Sequence, residues 1–251
     1  MKAELYDMIF KRKSFHLFRG VGSEHLTPDE LFGIETTFKS CERLYPDIRT
    51  AVRIIPADRV NFKRDAEYCV LIYSEKKPNY LMNAGYIGQQ LDLYLAAHDI
   101  GSLWYGIGKP DEKEYDGLSY VIMLAVRKVA DPSLFRKDMF KARRKPLGEI
   151  WSGDTPDFAD VARFAPSACN SQPWRVENKG GMLTVSRYRK NGRIGLLSPA
   201  SALYFNRIDI GIYLCVLEIC IEHAGTAYQR TLFEDSGDAE LTKAAEYRII
   251  S

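Results

Sequence analysis

Two stretches decide the fold of this sequence: YLMNAGYIGQQLDLYLAAHDIG at residues 80–101 and LYFNRIDIGIYLCVLEICIEHAG at residues 203–225. Both carry the apolar-rich pattern of a long helix, and each closes on a glycine, Gly101 or Gly225, that we expect to end the helix in a left-handed conformation. Aligned 123 residues apart, they share four residues: Asn83 with Asn206, Ile87 with Ile210, Gly88 with Gly211 and Leu91 with Leu214. The chain is therefore predicted to contain two related halves.

Other landmarks recur in the same order. Thr27-Pro28-Asp29 returns as Thr155-Pro156-Asp157, and both triplets predict an N-cap followed by proline at the first helical position. Arg12-Lys13 returns as Arg144-Lys145. The spacing drifts as short loop insertions would make it drift, although chance similarity is the alternative because the identities are few. We divide the chain into a first half (1–129), a connecting arm (130–146) and a second half (147–251).

The coarse pattern mixes helices with strands. Helices are predicted at about 2–12, 28–43, 83–98, 156–164 and 207–223. Strands are predicted at about 50–55, 68–73, 119–127, 174–176, 182–188 and 226–233, several of them β-branched and alternating. This order predicts an α+β fold in which helices pack around an antiparallel-rich sheet.

Composition excludes several classes of protein. The 251 residues carry a net charge of +2 and are 46% hydrophobic and 27% charged, which is typical of a globular chain and gives no field for nucleic acid or an anionic membrane. The most apolar run, 208–221, is interrupted by Asp209 and Glu218 and falls short of the roughly 20 apolar residues of a spanning helix. Five cysteines without metal spacing, and a basic N-terminus without a secretory pattern, predict free thiols, no bound metal and a cytoplasmic location.

Three segments carry residues suited to chemistry. In FKRKSFHLF (10–18), Arg12, Lys13 and Ser14 stand at a helix end and are followed by His16. Two cations and a hydroxyl within three residues can hold a phosphate, since charge-assisted hydrogen bonds are the strong ones. The alternative is a solvated basic helix end that the helix dipole favours.

The second segment, ARFAPSACNSQPWRV (162–176), places Pro166, Ser167, Asn170 and Gln172 between a helix and a strand. Such a loop can offer backbone and amide hydrogen bonds to a flat heteroaromatic ring, and the alternative is a helix-stopping turn. Cys169 has no histidine nearby in the sequence and is predicted to fill space.

The third segment is GSLWYGIGKPDE (101–112). Its two inner glycines, Gly106 and Gly108, let the backbone approach a ligand closely, although a plain turn after a strand is the alternative.

Together these segments resemble the nitroreductase family of FMN enzymes. The basic turn resembles the family's Arg-Arg-Ser-x-Arg phosphate motif, with Lys13 and His16 in place of two arginines. APSACNSQPW resembles its Pro-Ser-x-x-Asn-x-Gln-Pro-Trp loop, and the helix from Asn83 with GSLWYGIGKPDE resembles its core helix and flavin loop. Family members carry the first two motifs early in one chain, whereas here the two motifs lie in different halves.

The resemblance implies an internal pseudo-dimer. Family members are homodimers whose FMN sites take the phosphate motif from one subunit and the Pro-Ser loop from the other. A duplicated chain is expected to build this interface within itself as a monomer. A mirror site would join Arg144-Lys145-Pro146 to CERLYPDIRT (41–50), but it lacks the Pro-Ser pattern, so we expect one FMN per chain.

The resemblance also assigns residues to FMN. The phosphate and ribityl chain are assigned to Arg12, Lys13, Ser14, His16 and Arg144. The flavin ring is assigned to Tyr105, Gly106, Ile107 and Gly108 along one side and to Pro166, Ser167, Ala168, Asn170 and Gln172 from the other half. The pyrimidine edge is assigned to Asn61 and Arg64.

The function that this implies is an NAD(P)H-dependent FMN oxidoreductase. NADPH or NADH would pass hydride to flavin N5, and a small acceptor such as a quinone or nitroaromatic would receive it, with no side chain required as acid or base. Two alternatives stay open: a flavin-binding module without turnover, suggested by Lys13 and His16, and a scaffold that has lost flavin and serves as an interaction domain.

Overall fold

Two five-stranded sheets and two long helices that cross between them make up the fold. The computed structural model describes residues 3–61, 64–138, 142–189, 192, 195, 197–235, 237 and 239–250. The helices are α1 (Tyr6–Lys11), α2 (Pro28–Ser40), α3 (Tyr80–Ala97), α4 (Leu147–Ile150), α5 (Phe158–Ala162) and α6 (Pro199–His223). The strands are β1 (Thr50–Pro56), β2 (Tyr68–Ser74), β3 (Ile100–Trp104), β4 (Glu114–Tyr115), β5 (Leu118–Lys128), β6 (Trp151–Gly153), β7 (Trp174–Lys179), β8 (Met182–Tyr188), β9 (Ala227–Leu232) and β10 (Leu241–Ile250).

The two sheets share one strand order. The first runs β1-β2-β5-β3, with β4 paired to β5, and the second runs β6-β7-β8-β10-β9. Without β4 and β6, the strands correspond one to one, and every pairing other than β6–β7 is antiparallel. A β-bulge also falls on corresponding strands, because Val121 of β5 and Ala244 of β10 are both skipped in the register. The α+β prediction with two pseudo-symmetric halves is confirmed.

The two long helices pack directly on each other at a pair of glycines. A Cβ on Gly85 of α3 would overlap the carbonyl oxygen of Ile208, and a Cβ on Gly211 of α6 would overlap that of Met82. The two contacts are equivalent when Gly85 is matched with Gly211 and Met82 with Ile208, which is a spacing of 126 residues and not the 123 of the sequence alignment. The physical repeat therefore relates Gly85 to Gly211, because helix contact depends on the residue that faces the partner and not on identity count.

Each long helix also buries an acidic side chain that accepts a hydrogen bond from the strand after it. Asp92 of α3 accepts a hydrogen bond from Trp104 Nε1 at 3.0 Å, and Glu218 of α6 accepts one from Arg230 at 2.7 Å. In both cases the donor lies 12 residues further along, on the strand after the helix. Buried carboxylates need such donors to offset the cost of leaving water, so the same helix–strand unit is held together in the same way twice.

The N-cap prediction holds in the first half only. At α2 the Glu30 amide donates to Thr27 Oγ1 at 3.2 Å, and the Glu30 carboxylate accepts from the Thr27 amide at 2.9 Å, which forms a capping box. For Thr155 the prediction is wrong, since α5 begins at Phe158 with Asp157 as its N-cap. The Thr155 hydroxyl instead donates to the Gly153 carbonyl at 3.3 Å.

The predicted glycine stop also holds only once. Gly225 adopts φ +69° after α6, as expected, but α3 ends at Ala97 and its left-handed residue is Asp99, with φ 56°. Gly101 lies inside β3, where a Cβ would press on the Phe15 ring. Aspartate tolerates the left-handed region because its short side chain can hydrogen-bond locally, so the helix ended earlier than the glycine indicated.

Most other elements lie close to their predicted positions. The short strand β6 and the long strand β10 were not predicted, and α6 begins at Pro199 after a Ser198 cap, eight residues before its predicted start. All five cysteines are free thiols, as predicted. The predicted helix start at Lys2 and positions 139–141 of the arm lie outside the described residues. In the described part of the chain, no helix has the length and apolar character needed to cross a membrane.

Candidate functional site

A cavity of about 760 Å³ lies where the two halves meet, a size typical of small-molecule and cofactor sites. The first half contributes the basic turn after α1 and the end of β3, and the second contributes the loop at 166–172 and one side of α6. The predicted residues that line it are Arg12, Lys13, Ser14, His16, Arg64, Tyr105, Gly106, Ile107, Arg144, Pro166, Ser167, Ala168 and Asn170. Segments about 150 residues apart in the chain thus share one cavity.

Arg12 is fixed in the cavity wall by a buried carboxylate. Its Nε donates to Asp92, and its Nη2 donates to Ser14 Oγ at 3.0 Å. Asp92 also accepts from Ser102 and Trp104 of β3. Because both partners of the ion pair are almost fully buried, the guanidinium is held in one orientation beside Ser14.

The two other cations of the first half are tied to the protein itself. Lys13 Nζ donates to the Leu134 carbonyl at 2.7 Å, and Arg64 donates to the His16 carbonyl at 3.0 Å. The Arg64 guanidinium also lies 5.8 Å from the ring centroid of Tyr105. Both side chains therefore brace the cavity wall as well as add positive charge to it.

Three arginines gather at the same end of the cavity: Arg12, Arg136 and Arg144. Burial, followed by the charges of Arg12, Arg136 and Arg163, lowers the pKa of Arg144 to about 10. Burial, followed by the charge of Arg12, lowers the pKa of Arg136. The Nε of Arg144 is buried and finds no hydrogen-bond partner among the described residues. Mutually repelling cations, one buried and two half-buried, with an unused donor are suited to binding an anion.

Arg144 also ties the connecting arm to the loop at 166–172. It donates to Asn170 Oδ1 at 2.9 Å and to the Phe164 carbonyl at 3.1 Å. The neighbouring Lys145 amide donates to Gln172 Oε1 at 2.8 Å. The prediction that Arg144-Lys145-Pro146 joins residues 41–50 in a mirror site is therefore wrong, because the arm folds onto the loop at 166–172 instead.

The loop at 166–172 is a tight structure with unusual backbone angles. Cys169, Asn170 and Gln172 have φ of 49°, 52° and 48°, in the left-handed region. The Gln172 amide donates to Ser167 Oγ at 2.9 Å, which closes the loop on itself. Left-handed residues other than glycine persist only where surrounding contacts hold them, and here the arm and α6 supply those contacts.

One acid of the site went unrecognised in the sequence. Asp209 lines the cavity, is only 3% exposed, and accepts a hydrogen bond from the Ala168 amide at 2.9 Å. Burial raises its pKa to about 8, against the hydrogen bonds from Ala168 and Ser171, which lower it. The available signal is an acid within an apolar helix. In the sequence analysis this acid counts only against a membrane-spanning segment.

The first half has an equivalent loop that is anchored in the same way. There the Tyr45 amide donates to Asn83 Oδ1 at 3.1 Å, and the positions Asn83 and Asp209 are related by the 126-residue shift of the helices. Tyr45 thus stands where the second half has Ala168. Its hydroxyl accepts from Asn79 Nδ2 at 2.5 Å, and Asn79 also bonds the backbone of Phe233 and Asp235. In the first half, protein groups bond one another at this position.

Three predicted residues do not line the cavity. Asn61 is exposed on the surface, and Gly108 packs under the Tyr105 ring. Gln172 is buried behind the loop and holds it in shape. The cavity wall opposite the cations is apolar instead, with Leu197, Phe205, Ile208 and Ile212 from the second half. No group of three or more metal-ligating side chains occurs among the residues that the structure describes.

The cavity therefore combines a cationic end, an apolar wall and a loop of directed polar groups. The fold and this cavity define a nitroreductase-like protein, and that class consists of oxidoreductases. The chain belongs to the family described as "Putative TM nitroreductase", whose model matches residues 4–221.

The chain also resembles several solved structures. One described as a "putative nitroreductase" from Thermotoga maritima is 16% identical, covers 97% of this chain and 93% of its own, and superposes with a TM-score of 0.62, which shows a shared fold. A nitroreductase family protein from Clostridium difficile is 15% identical, with coverage of 60% of this chain and 98% of that chain and a TM-score of 0.46. A structure described as a "putative nitroreductase in complex with FMN" from Desulfovibrio desulfuricans is 14% identical, with coverage of 62% of this chain and 98% of that chain and a TM-score of 0.42. No curated protein matches the chain.

Proposed function

We propose that this protein is an FMN-dependent NAD(P)H oxidoreductase that reduces small oxidised acceptors such as quinones or nitroaromatics. The observation that carries the proposal is the meeting of arginines from the first half and the arm with the Pro-Ser loop of the second half, in one cavity. FMN combines a dianionic phosphate with a flat heteroaromatic ring, and the two ends of this cavity offer complementary surfaces. The FMN-bound relative from Desulfovibrio desulfuricans adds support for this cofactor class.

The donors at the cationic end fit a phosphate. Arg12, Ser14, Arg136 and Arg144 would hold it, and the buried Nε of Arg144 would gain the acceptor that it lacks among the described residues. Each charge-assisted hydrogen bond to a phosphate oxygen is worth about 1.5–3 kcal/mol. Asp92 keeps Arg12 oriented before the ligand arrives, so less ordering is required on binding.

The ring would lie between the loop at 166–170 and the segment from Tyr105 to Ile107. Gly106 packs against the Phe205 ring, and a side chain at that position would overlap it, so the two halves are in contact there. Bound FMN would supply hydride transfer at its N5, with NADPH or NADH as donor. The protein supplies position, an apolar wall and positive charge.

Removal of the phosphate donors tests the cofactor assignment. Substitution of both Arg12→Ala and Ser14→Ala should strip FMN from the purified protein, measured as loss of flavin absorbance. A matched control is Ser40→Ala with Arg49→Ala, an exposed serine and arginine that flank the equivalent loop of the first half. The control should keep its flavin, and full yellow occupancy of the Arg12/Ser14 variant would contradict the assignment.

Steady-state oxidation of each nicotinamide with menadione tests the enzyme activity. A protein that binds FMN but shows no turnover would be a flavin-binding module, and a protein without flavin absorbance would be an interaction scaffold.

We also propose that the protein is a monomer with one FMN, because the two halves already meet within the chain. The proposed location is the cytoplasm. Size-exclusion elution at twice the chain mass would contradict the monomer.

A further inference from the structure

Within the proposed FMN site, we propose that Asp209 is a further ligand-contacting residue and that the cavity takes up FMN with the Asp209 carboxyl protonated. The inference rests on the proposed function. It starts from the position of the acid, which lines the cavity from α6 directly beneath the Pro-Ser loop.

The surroundings of the carboxyl favour the neutral acid. It is 3% exposed and has one short hydrogen bond, from the Ala168 amide at 2.9 Å, with a longer one from Ser171 Oγ at 3.4 Å. No basic side chain of the described residues forms an ion pair with it. A buried carboxylate without a cation and with few donors is costly, whereas a carboxylic acid in the same place is tolerated.

The first half shows that the loop anchor itself does not require an acid. Asn83 accepts the equivalent amide hydrogen bond, from Tyr45, with an uncharged carboxamide. An acid therefore stands only where the anchor also borders the large cavity. A protonated Asp209 keeps the acceptor for Ala168 and adds an O–H donor, which flavin ring nitrogens and carbonyl oxygens can accept.

The other charged groups near Asp209 do not overcome the preference of its carboxyl for the neutral form. The neighbouring elements carry three sets of titratable groups. The loop carries the Cys169 thiol, α5 carries Asp160 in an ion pair with Arg163, and α3 carries Asp92 in an ion pair with Arg12. Arg136 and Arg144 across the cavity carry positive charge that favours ionisation of the acid. Burial is the largest cause acting on the carboxyl and raises the pKa of Asp209 to about 8, against the hydrogen bonds from Ala168 and Ser171.

Ligand binding and protonation are then linked. A ring placed over the carboxyl removes its remaining water and disfavours the charged form further, so FMN affinity falls when Asp209 loses its proton. With a pKa of about 8 in the free protein, FMN should bind about tenfold more weakly at pH 9 than at pH 7. Asp209→Asn should bind FMN at pH 7 within about threefold of the wild type, with no such fall.

The experiment is a fluorescence titration of FMN into deflavinated protein between pH 6.5 and 9.5. Asn83→Asp, which puts an acid at the equivalent anchor of the other half, is the matched control and should keep the wild-type pH profile. If the wild type and Asp209→Asn weaken equally, the inference is overturned. If the wild type binds no FMN at pH 7, the proposed function fails instead.

Two readouts keep the test independent of FMN phosphate and of variant folding. Riboflavin lacks the phosphate that engages the arginines, so its binding reports on the ring alone. Calorimetry of riboflavin binding to the wild type at pH 8.5, in buffers of different ionisation heat, should show uptake of most of one proton, because Asp209 is mostly ionised in the free protein at that pH. No proton uptake would overturn the inference. The wild type should also lose stability relative to Asp209→Asn between pH 5 and 8, since the folded state keeps a proton that the unfolded chain has released.

Discussion

The loop at 41–49 and the loop at 166–172 occupy equivalent places on the two long helices, yet only the second lines the large cavity. Each hangs from one helix side chain, Asn83 or Asp209, through a single backbone amide. The residues that donate those amides are Tyr45 and Ala168, a large side chain against a small one. One scaffold thus produces a closed position and an open one, and the two differ in side-chain size at one position and in an amide against an acid at the other.

The buried acids at equivalent helix positions, Asp92 and Glu218, differ in a similar way. Glu218 accepts hydrogen bonds from Tyr86, Tyr247 and Arg230, which join core elements of the described structure. Asp92 accepts hydrogen bonds from β3 and also holds Arg12, which lines the cavity. The same helix position is structural in one half and reaches the site in the other.

The largest expected effect tests whether the two halves are equivalent at the helix crossing. Gly85→Ala and Gly211→Ala should each lower the free energy of unfolding by more than about 3 kcal/mol, because either Cβ would overlap a backbone carbonyl of the opposite helix. Denaturant unfolding followed by circular dichroism measures it. Two similar losses would sharpen the equivalence of Gly85 and Gly211.

The control for that pair is Gly148→Ala. Gly148 lies in α4 with open space around it, so a methyl group should leave stability within about 0.5 kcal/mol or raise it slightly. A small loss for Gly85→Ala beside a large one for Gly211→Ala would break the 126-residue correspondence of the helices.

The fold was largely predictable from sequence because helical and strand patterns are local. The long helices, the N-cap at Thr27 and the strands predicted at about 50–55 and 182–188 follow from periodicity and caps. The helix register was not predictable, since identities such as Asn83 and Asn206 gave a spacing of 123. The spacing of 126 emerges only from tertiary contacts, such as the crossing at Gly85 and Gly211 and the buried acids Asp92 and Glu218.

The candidate site was predicted in part for the same reason. Motif resemblance brought together Arg12, Ser14 and the loop from Pro166. Arg136 and Asp209 were missed, because their importance comes from tertiary burial next to residues distant in sequence. Arg144 was placed near the phosphate and also in a mirror site, and only the folded arm decides between the two.

Tyr45 and Ala168 distinguish the two loops, and exchanging the large side chain for the small one tests that difference. Ala168→Tyr should lower FMN affinity a hundredfold or more, about 3 kcal/mol, since a bulky ring would enter the cavity wall. Equilibrium titration with FMN measures it, and thermal unfolding should show that the variant still folds.

The reciprocal substitution is the control. Tyr45→Ala should cost about 1–3 kcal/mol of stability through lost packing and the lost bond from Asn79, while FMN affinity and the stoichiometry of one per chain stay unchanged. A second equivalent of bound FMN in Tyr45→Ala would show that Tyr45 alone closes the first-half position. Unchanged affinity in Ala168→Tyr would mean that the flavin lies elsewhere.

The smallest expected effect distinguishes the two threonine–proline landmarks. Thr27→Ala should cost about 1 kcal/mol, because it removes the acceptor for the Glu30 amide at the start of a 13-residue helix. Thr155→Ala should change stability by less than about 0.5 kcal/mol, since Thr155 is exposed and caps no helix. Denaturant midpoints of the two variants, measured side by side, give the difference. Equal losses would mean that Thr155 caps α5 in solution, so that the two landmarks are equivalent in structure as well as in sequence.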